Sequence, residues 1–184
     1  MIEIRIHGRG GQGAVIASKV IALAFFEQGY EVQSFPAFGV ERRGAPVCAY
    51  ARVDKDPIRL RSQIYEPDHV VVLDINLIDN VSVTEGLKKD GSILINSSLE
   101  MVKSKEILAN RIGCVDASAI AINHKLGSPT SPIVNTSIVG AFARFTELLT
   151  IESIAKAIRQ EMPSKFEENI AAVKEAYESV SVCG

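Results

Sequence analysis

The chain has 184 residues, 47% of them hydrophobic, with 20 Lys and Arg against 22 Asp and Glu for a formal net charge of −2. That length and apolar fraction suit one domain over 1–184 with a single core. The near-neutral charge gives no overall electrostatic reason to expect nucleic acid or an anionic membrane as partner.

Cys48, Cys114 and Cys183 are dispersed, with no C-x-x-C pair. This argues against a zinc ribbon or an iron–sulfur cluster in the chain and suits a reducing cytoplasm. Glu3 and Arg5 stand where a signal peptide would need apolar residues, and the longest apolar span, 14–26, is broken by Ser18 and Lys19. A cytoplasmic location without a membrane segment is therefore expected.

Residues 2–6 alternate Ile2, Ile4 and Ile6 with Glu3 and Arg5, the period of a strand with one apolar face. HGRGGQG follows at once, and from Ala14 to Gln28 the apolar residues recur at helical spacing, with Gly29 placed to end the helix. YEVQSF, 30–35, reads as a second strand, so the opening is strand, glycine turn, helix, strand, a parallel βαβ unit. PAFGVERRGAP, 36–46, is rich in Gly and Pro and is expected as an exposed loop. VCAYARVD and IRLRS then suggest a hairpin, which would make the sheet mixed.

HVVVLD, 69–74, is the continuous apolar run of a central strand. Ser82 with Glu85 forms a capping box that predicts a short helix ending near Gly91, and SILINSS and IGCVDA predict two further strands. Ser128–Pro132 reads as a turn; helices are then expected over Thr136–Leu149, after Thr150, and after Ser164, where Glu167 completes a second capping box. The pattern predicts an α/β fold, three-layer α/β/α, with a mixed, mostly parallel sheet and a helical C-terminal segment.

Gly8, Gly10 and Gly13 match G-x-G-x-x-G in the strand-to-helix context that motif requires. In that geometry the first glycine permits the turn, the second lets backbone approach a phosphate, and the third lets helix pack on strand. Uncapped N–H groups and the helix dipole would favour an anion, and Arg9 adds a cation. A dinucleotide would further need a carboxylate at the end of the second strand, where Gln33, Ser34 and Phe35 stand instead, with Glu31 at its beginning. A plain strand-to-helix turn is the bland alternative.

HGRGGQG followed by FPAFGVERRGAPV resembles the γ subunit, or γ domain, of pyruvate and other 2-oxoacid:ferredoxin oxidoreductases. VVVLD, GSILIN, CVDAS and NTSIVGAF continue the likeness over nearly the whole chain. The resemblance implies a subunit that is inert alone, in a complex that decarboxylates a 2-oxoacid, by default pyruvate, forms an acyl-CoA and passes two electrons to ferredoxin. It places thiamine diphosphate and iron–sulfur clusters in partner subunits of α, β and δ type, so that this chain alone holds no cofactor and no metal, and it associates the γ part with closing over CoA. No catalytic residue is assigned to it.

Residue by residue, the family's glycine loop falls on Gly8, Arg9, Gly10, Gly11, Gln12 and Gly13. CoA contact and subunit docking both remain open for it. The second motif, Glu41, Arg42, Arg43 and Gly44, is expected at a subunit interface, where the planar arginine fork suits carboxylates; a solvated charged loop is the alternative. Asn135 and Thr136 are candidates for ligand contact, weighed against helix capping. His7 ends the first strand beside the glycine loop, as an acid or base against a structural role, and Asp74 ends the buried strand, where α/β sheets place ligand contacts, with an N-cap as the alternative. His69 and His124 have no motif around them. A free-standing dinucleotide-binding oxidoreductase and a purely structural adaptor subunit are the rival functions.

Overall fold

The computed structural model describes residues 1–37, 44–109, 111–162 and 164–183. Among these, seven strands form one sheet in the order β2-β3-β1-β4-β5-β6-β9. They are β1 (Ile2–Arg9), β2 (Glu31–Pro36), β3 (Pro46–Asp54), β4 (His69–Val72), β5 (Ser92–Asn96), β6 (Arg111–Val115) and β9 (Ser181–Val182). The strands β7 (Gly127–Ser128) and β8 (Ser131–Pro132) pair separately as a small hairpin over the predicted turn. Neighbours β1, β4, β5 and β6 are parallel, whereas β3 is antiparallel to both β1 and β2, and β9 is antiparallel to β6. The sheet is mixed and mostly parallel, as the sequence predicts.

Alternation in the strands divides the apolar residues between two faces rather than one core. On one face Ile4, Ile6, Val71 and Leu94 meet α1 (Ala14–Glu27), α4 (Asn135–Thr146), α5 (Ile151–Glu161) and α6 (Phe166–Ser179). Val70, Val72, Ile93 and Ile95 on the other face are covered by a 3₁₀ turn (Ile75–Leu77), by Val83, and by the five-residue α2 (Leu99–Lys103). The remaining helix, α3 (Ala117–Asn123), opens on Asp116, whose carboxylate accepts from Ala119 N at 2.9 Å, an N-cap. The helical C-terminal segment is held by a close approach of α4 and α6. A Cβ on Gly140 would lie 2.2 Å from Val173 O, so only glycine lets the two backbones meet.

Several expectations are corrected. The hairpin predicted between VCAYARVD and IRLRS does not form, because β3 already spends both its edges on β1 and β2 and residues 58–62 stay largely exposed without a partner strand. For the same reason the opening is not a simple βαβ unit: β3 stands between β1 and β2. No helix forms at 82–91; the Arg5 guanidinium takes Val83 O at 3.0 Å and also Glu85 O, carbonyls that a helix would use internally. The capping box at Ser164 also fails, since the N-cap of α6 is Lys165 in a left-handed conformation with no side-chain cap bond.

Candidate functional site

The connections that leave β1 and β4 run to opposite faces of the sheet, α1 to one and the 3₁₀ turn to the other. In open α/β sheets the crevice beyond the strand ends at such a switch point is the usual ligand position. A cavity of 380 Å³ opens there, lined by Gln12, Asp74, Asn96, Ser98, Asp116 and Ser118 among others.

The glycine loop reaches this cavity through Gln12. Gly8 is still inside β1, buried opposite Val47, so the turn is made by residues after it and not by the first glycine. Arg9 N donates to Gln12 Oε1 at 2.8 Å while Gln12 N donates to Arg9 O at 3.0 Å, which closes the loop on itself. Gly11 is exposed at the tip. Gly13 has φ 85° and a Cβ there would lie 3.0 Å from Asn135, so both conformation and crowding demand glycine. The N-terminus of α1 carries no side-chain cap and no acidic residue in its first turn, so nothing local offsets the positive end of its dipole.

Arg9 is fixed from two sides. Its Nε donates to Asp74 Oδ2 at 2.6 Å and its Nη1 to Gly44 O at 3.2 Å, with 31% of the side chain exposed. Asp74 also accepts through Oδ1 from Asn76 N and Nδ2, each at 2.9 Å, and so caps the 3₁₀ turn. Burial works to raise the Asp74 pKa, but the bonds from Arg9 and Asn76 outweigh it and hold the carboxyl below its ordinary value. Asp74 is thus the N-cap that one of its readings expected, and it also lines the crevice and anchors Arg9.

Gly44, the last residue of the second motif, meets the glycine loop: Gly44 N donates to Gly10 O at 3.0 Å and Gly10 N to Ala45 O at 2.9 Å. Glu41, Arg42 and Arg43 lie outside the described residues. Asn135 and Thr136 are the first residues of α4 rather than its cap, which is Val134 without a side-chain bond. Asn135, 4% exposed, packs on Gly13, and Thr136 is fully buried with its hydroxyl donating to Asn169 Oδ1 at 2.8 Å. Asn135 therefore supports the glycine loop from behind, and Thr136 joins α4 to α6.

The sequence reading did not single out Asn96, Asp116 or Ser118. Asn96 Nδ2 donates to Leu73 O at 2.9 Å and to Ser118 Oγ at 3.0 Å, tying together the ends of neighbouring strands. The available signal was a polar residue ending each buried apolar run, in SILIN and in IGCVD.

A larger cavity of 620 Å³ lies on the thinner side of the sheet, lined by Arg5, His7, Cys48, Tyr50 and Glu85 among others. Arg5 Nε donates to His7 Nε2 at 3.1 Å. Burial first, then the neighbouring Arg5 charge, lowers the His7 pKa to about 4, so the imidazole is neutral and serves as an acceptor at pH 7. His69 contacts Ser92 Oγ at 2.8 Å and His124 contacts Glu175 at 2.6 Å, both outside the crevice lining.

Among the described residues no group of three or more His, Cys, Asp or Glu could hold a metal ion, and no helix is long and apolar enough to cross a membrane. Three cysteines are also fewer than the four thiolates a Cys₄ cluster takes.

Residues 3–179 match the family model described as pyruvate ferredoxin/flavodoxin oxidoreductase. The chain is 50% identical over 189 residues to the pyruvate/ketoisovalerate oxidoreductases common subunit gamma of Pyrococcus furiosus, covering 99% of this chain and 98% of that protein. To the pyruvate synthase subunit PorC of Methanocaldococcus jannaschii it is 51% identical over 178 residues, 96% of each chain. The crystal structure of pyruvate oxidoreductase subunit PORC from Thermotoga maritima superposes with a TM-score of 0.82 at 34% identity, covering 100% of this chain and 98% of that one. This chain belongs to the pyruvate ferredoxin/flavodoxin oxidoreductase family, as a γ subunit of that multi-subunit class of oxidoreductase.

Proposed function

We propose that this γ subunit works in CoA-dependent oxidative decarboxylation of pyruvate, contributing assembly contacts and a contact to CoA through its glycine loop. Thiamine diphosphate and the iron–sulfur clusters belong to partner subunits of α, β and δ type, and ferredoxin takes the electrons from the assembled complex in the cytoplasm. One domain over 1–184 is part of this reading, since the sheet takes β1 from one end of the chain and β9 from the other. The name of the Pyrococcus relative joins one γ subunit to both pyruvate and ketoisovalerate enzymes, which supports choice of the 2-oxoacid in other subunits.

The observation that carries the CoA contact is Arg9: a cation on the loop at the switch-point crevice, pinned at Nε and Nη1 yet 31% exposed. A guanidinium held in place forms charge-assisted bonds to phosphate with little further ordering. The motif Glu41, Arg42, Arg43 and Gly44 is assigned to the subunit interface, a reading supported by Gly44, which is hydrogen-bonded to Gly10 of the glycine loop. A free-standing dinucleotide site finds no support in the topology, because β3 separates β2 from β1 and Glu31 sits at the start of β2.

The test is Arg9→Ala in the assembled complex. Loss of one charge-assisted bond, about 1.5 kcal/mol, raises KM for CoA roughly tenfold while the KM for pyruvate stays constant. An unchanged KM for CoA with weakened assembly would remove the phosphate contact and leave the loop a docking element, the structural-adaptor reading.

A further inference from the structure

Cys114 lies in β6, 2% exposed among Ile95, Val102 and the other apolar residues of the thinner face. Cys183 follows β9 and packs half-buried against the same cluster. In the antiparallel register Cys114 stands opposite Ser181, and Cys183 N donates to Ile112 O at 2.7 Å, so the two cysteines are diagonal neighbours on one face. Their sulfurs are 3.3 Å apart and both thiols are free.

We propose that Cys114 and Cys183 form a reversible disulfide that clasps the edge strand β9 to the central sheet. A disulfide has its sulfurs about 2.05 Å apart, so closure requires an approach of roughly 1.3 Å. Cys183 supplies that movement: it lies just beyond β9, a two-residue strand at the edge of the sheet, held by little ladder pairing and so among the segments that open most easily. The third thiol is remote, since Cys48 lies on β3 with β1, β4 and β5 between it and β6.

The chemistry is thiol–disulfide exchange with a small-molecule or protein disulfide as oxidant. The thiolate of the more accessible Cys183 attacks one oxidant sulfur and expels the other as a thiol, leaving a mixed disulfide. Cys114 gives up its proton and attacks the Cys183 sulfur, releasing the second oxidant thiol. Two electrons and two protons pass to the oxidant, which leaves as two thiols. Burial, together with the neighbouring Cys183, pushes the Cys114 thiol up, which makes it the second, resolving sulfur rather than the first attacker.

The ring so closed contains α3 to α6, including Asn135 on Gly13, so the clasp restrains the whole helical layer that backs the glycine loop.

The test uses the full chain, treated anaerobically with excess oxidised dithiothreitol and then with a maleimide-polymer under denaturing conditions. The reduced chain takes three labels, matching its three cysteines, and the oxidised chain is expected to take one. Peptide mapping should join Cys114 to Cys183 with Cys48 free, and Tm should rise by roughly 5–15 °C in a monomer. The variant C48S should still lose two labels, and C183S should lose none. Three labels after oxidation, a bridge to Cys48, or dimers joined between chains would overturn the proposal.

Discussion

Asp74 joins the glycine loop to the turn after β4, and its two oxygens divide the work: Oδ2 holds Arg9 at 2.6 Å and Oδ1 caps Asn76 N at 2.9 Å. Two substitutions separate the tasks. Asp74→Asn keeps an acceptor for the cap and loses the ion pair, whereas Asp74→Ala loses both. With side chains 31% and 15% exposed the pair belongs near the top of the surface range, about 1 kcal/mol, and a lost cap costs about 1 kcal/mol. Urea denaturation of the chain at pH 7 should therefore show D74N down by about 1 and D74A by about 2 kcal/mol with an unchanged m-value. Because the folded pKa of Asp74 is depressed, the pair contributes stability above the ordinary aspartate value of 3.8 and loses it as pH falls through the folded value. The gap between wild type and D74N should close in that acid range. Equal losses for the two variants, or a gap that persists in acid, would refute the division of roles.

At Gly140 the sign is diagnostic: Gly→Ala in an ordinary helix interior stabilises by about 1 kcal/mol, but a Cβ 2.2 Å from Val173 O must push α4 from α6, so G140A should lose about 2 kcal/mol net in thermal or urea unfolding. His7, neutral in the fold with a pKa of about 4 against 6.5 unfolded, makes the unfolded chain bind more protons between those values, so stability should fall by about 3 kcal/mol from pH 6.5 to 4. His7→Gln should flatten most of that slope, with His69, lowered by burial as well, accounting for part of what remains. A slope unaltered by the substitution would place the proton uptake elsewhere.

What the sequence shows plainly is what local spacing decides. The apolar run HVVVLD forms β4, the glycine loop joins β1 to α1 with Gly29 at φ 86° just beyond the helix, and Asp74 at a strand end lies beside the loop that the motif picked out. The failures are cases where a partner distant in sequence claims the backbone. The capping box of Ser82 and Glu85 is a correct local motif, and in the fold Glu85 N still bonds Ser82 O at 3.0 Å, but the buried Arg5 guanidinium takes Val83 O and Glu85 O, so the turn cannot propagate. A buried guanidinium deprived of acceptors would cost more than one turn of helix contributes, and the sequence of 82–91 carries no sign of that demand.

The same logic explains the polar stripe behind the sheet. Glu3, Arg5 and His7 read as the solvent side of an amphipathic strand, but β3 sets Arg52, Tyr50 and Cys48 directly opposite them. Arg52, 1% exposed, donates from Nε to Glu3 at 2.8 Å and from Nη2 to Gln63 O at 3.1 Å, and Arg5 bonds His7, so most of these polar groups are paired under the loop that carries Gln63 to Glu66, while Arg52 Nη1 is buried without a partner. Alternation in one strand tells which residues share a face; only the strand beside it decides whether that face is wet. The insertion of β3 between β1 and β2 thus accounts at once for the missed hairpin, the unexpected cavity and the loss of the dinucleotide geometry. It also bears on function: with β3 in place, the turn just before β3 brings Gly44, the described residue of the second motif, to Gly10 and Arg9, and Arg9 in turn holds Asp74 in the lining of the switch-point crevice.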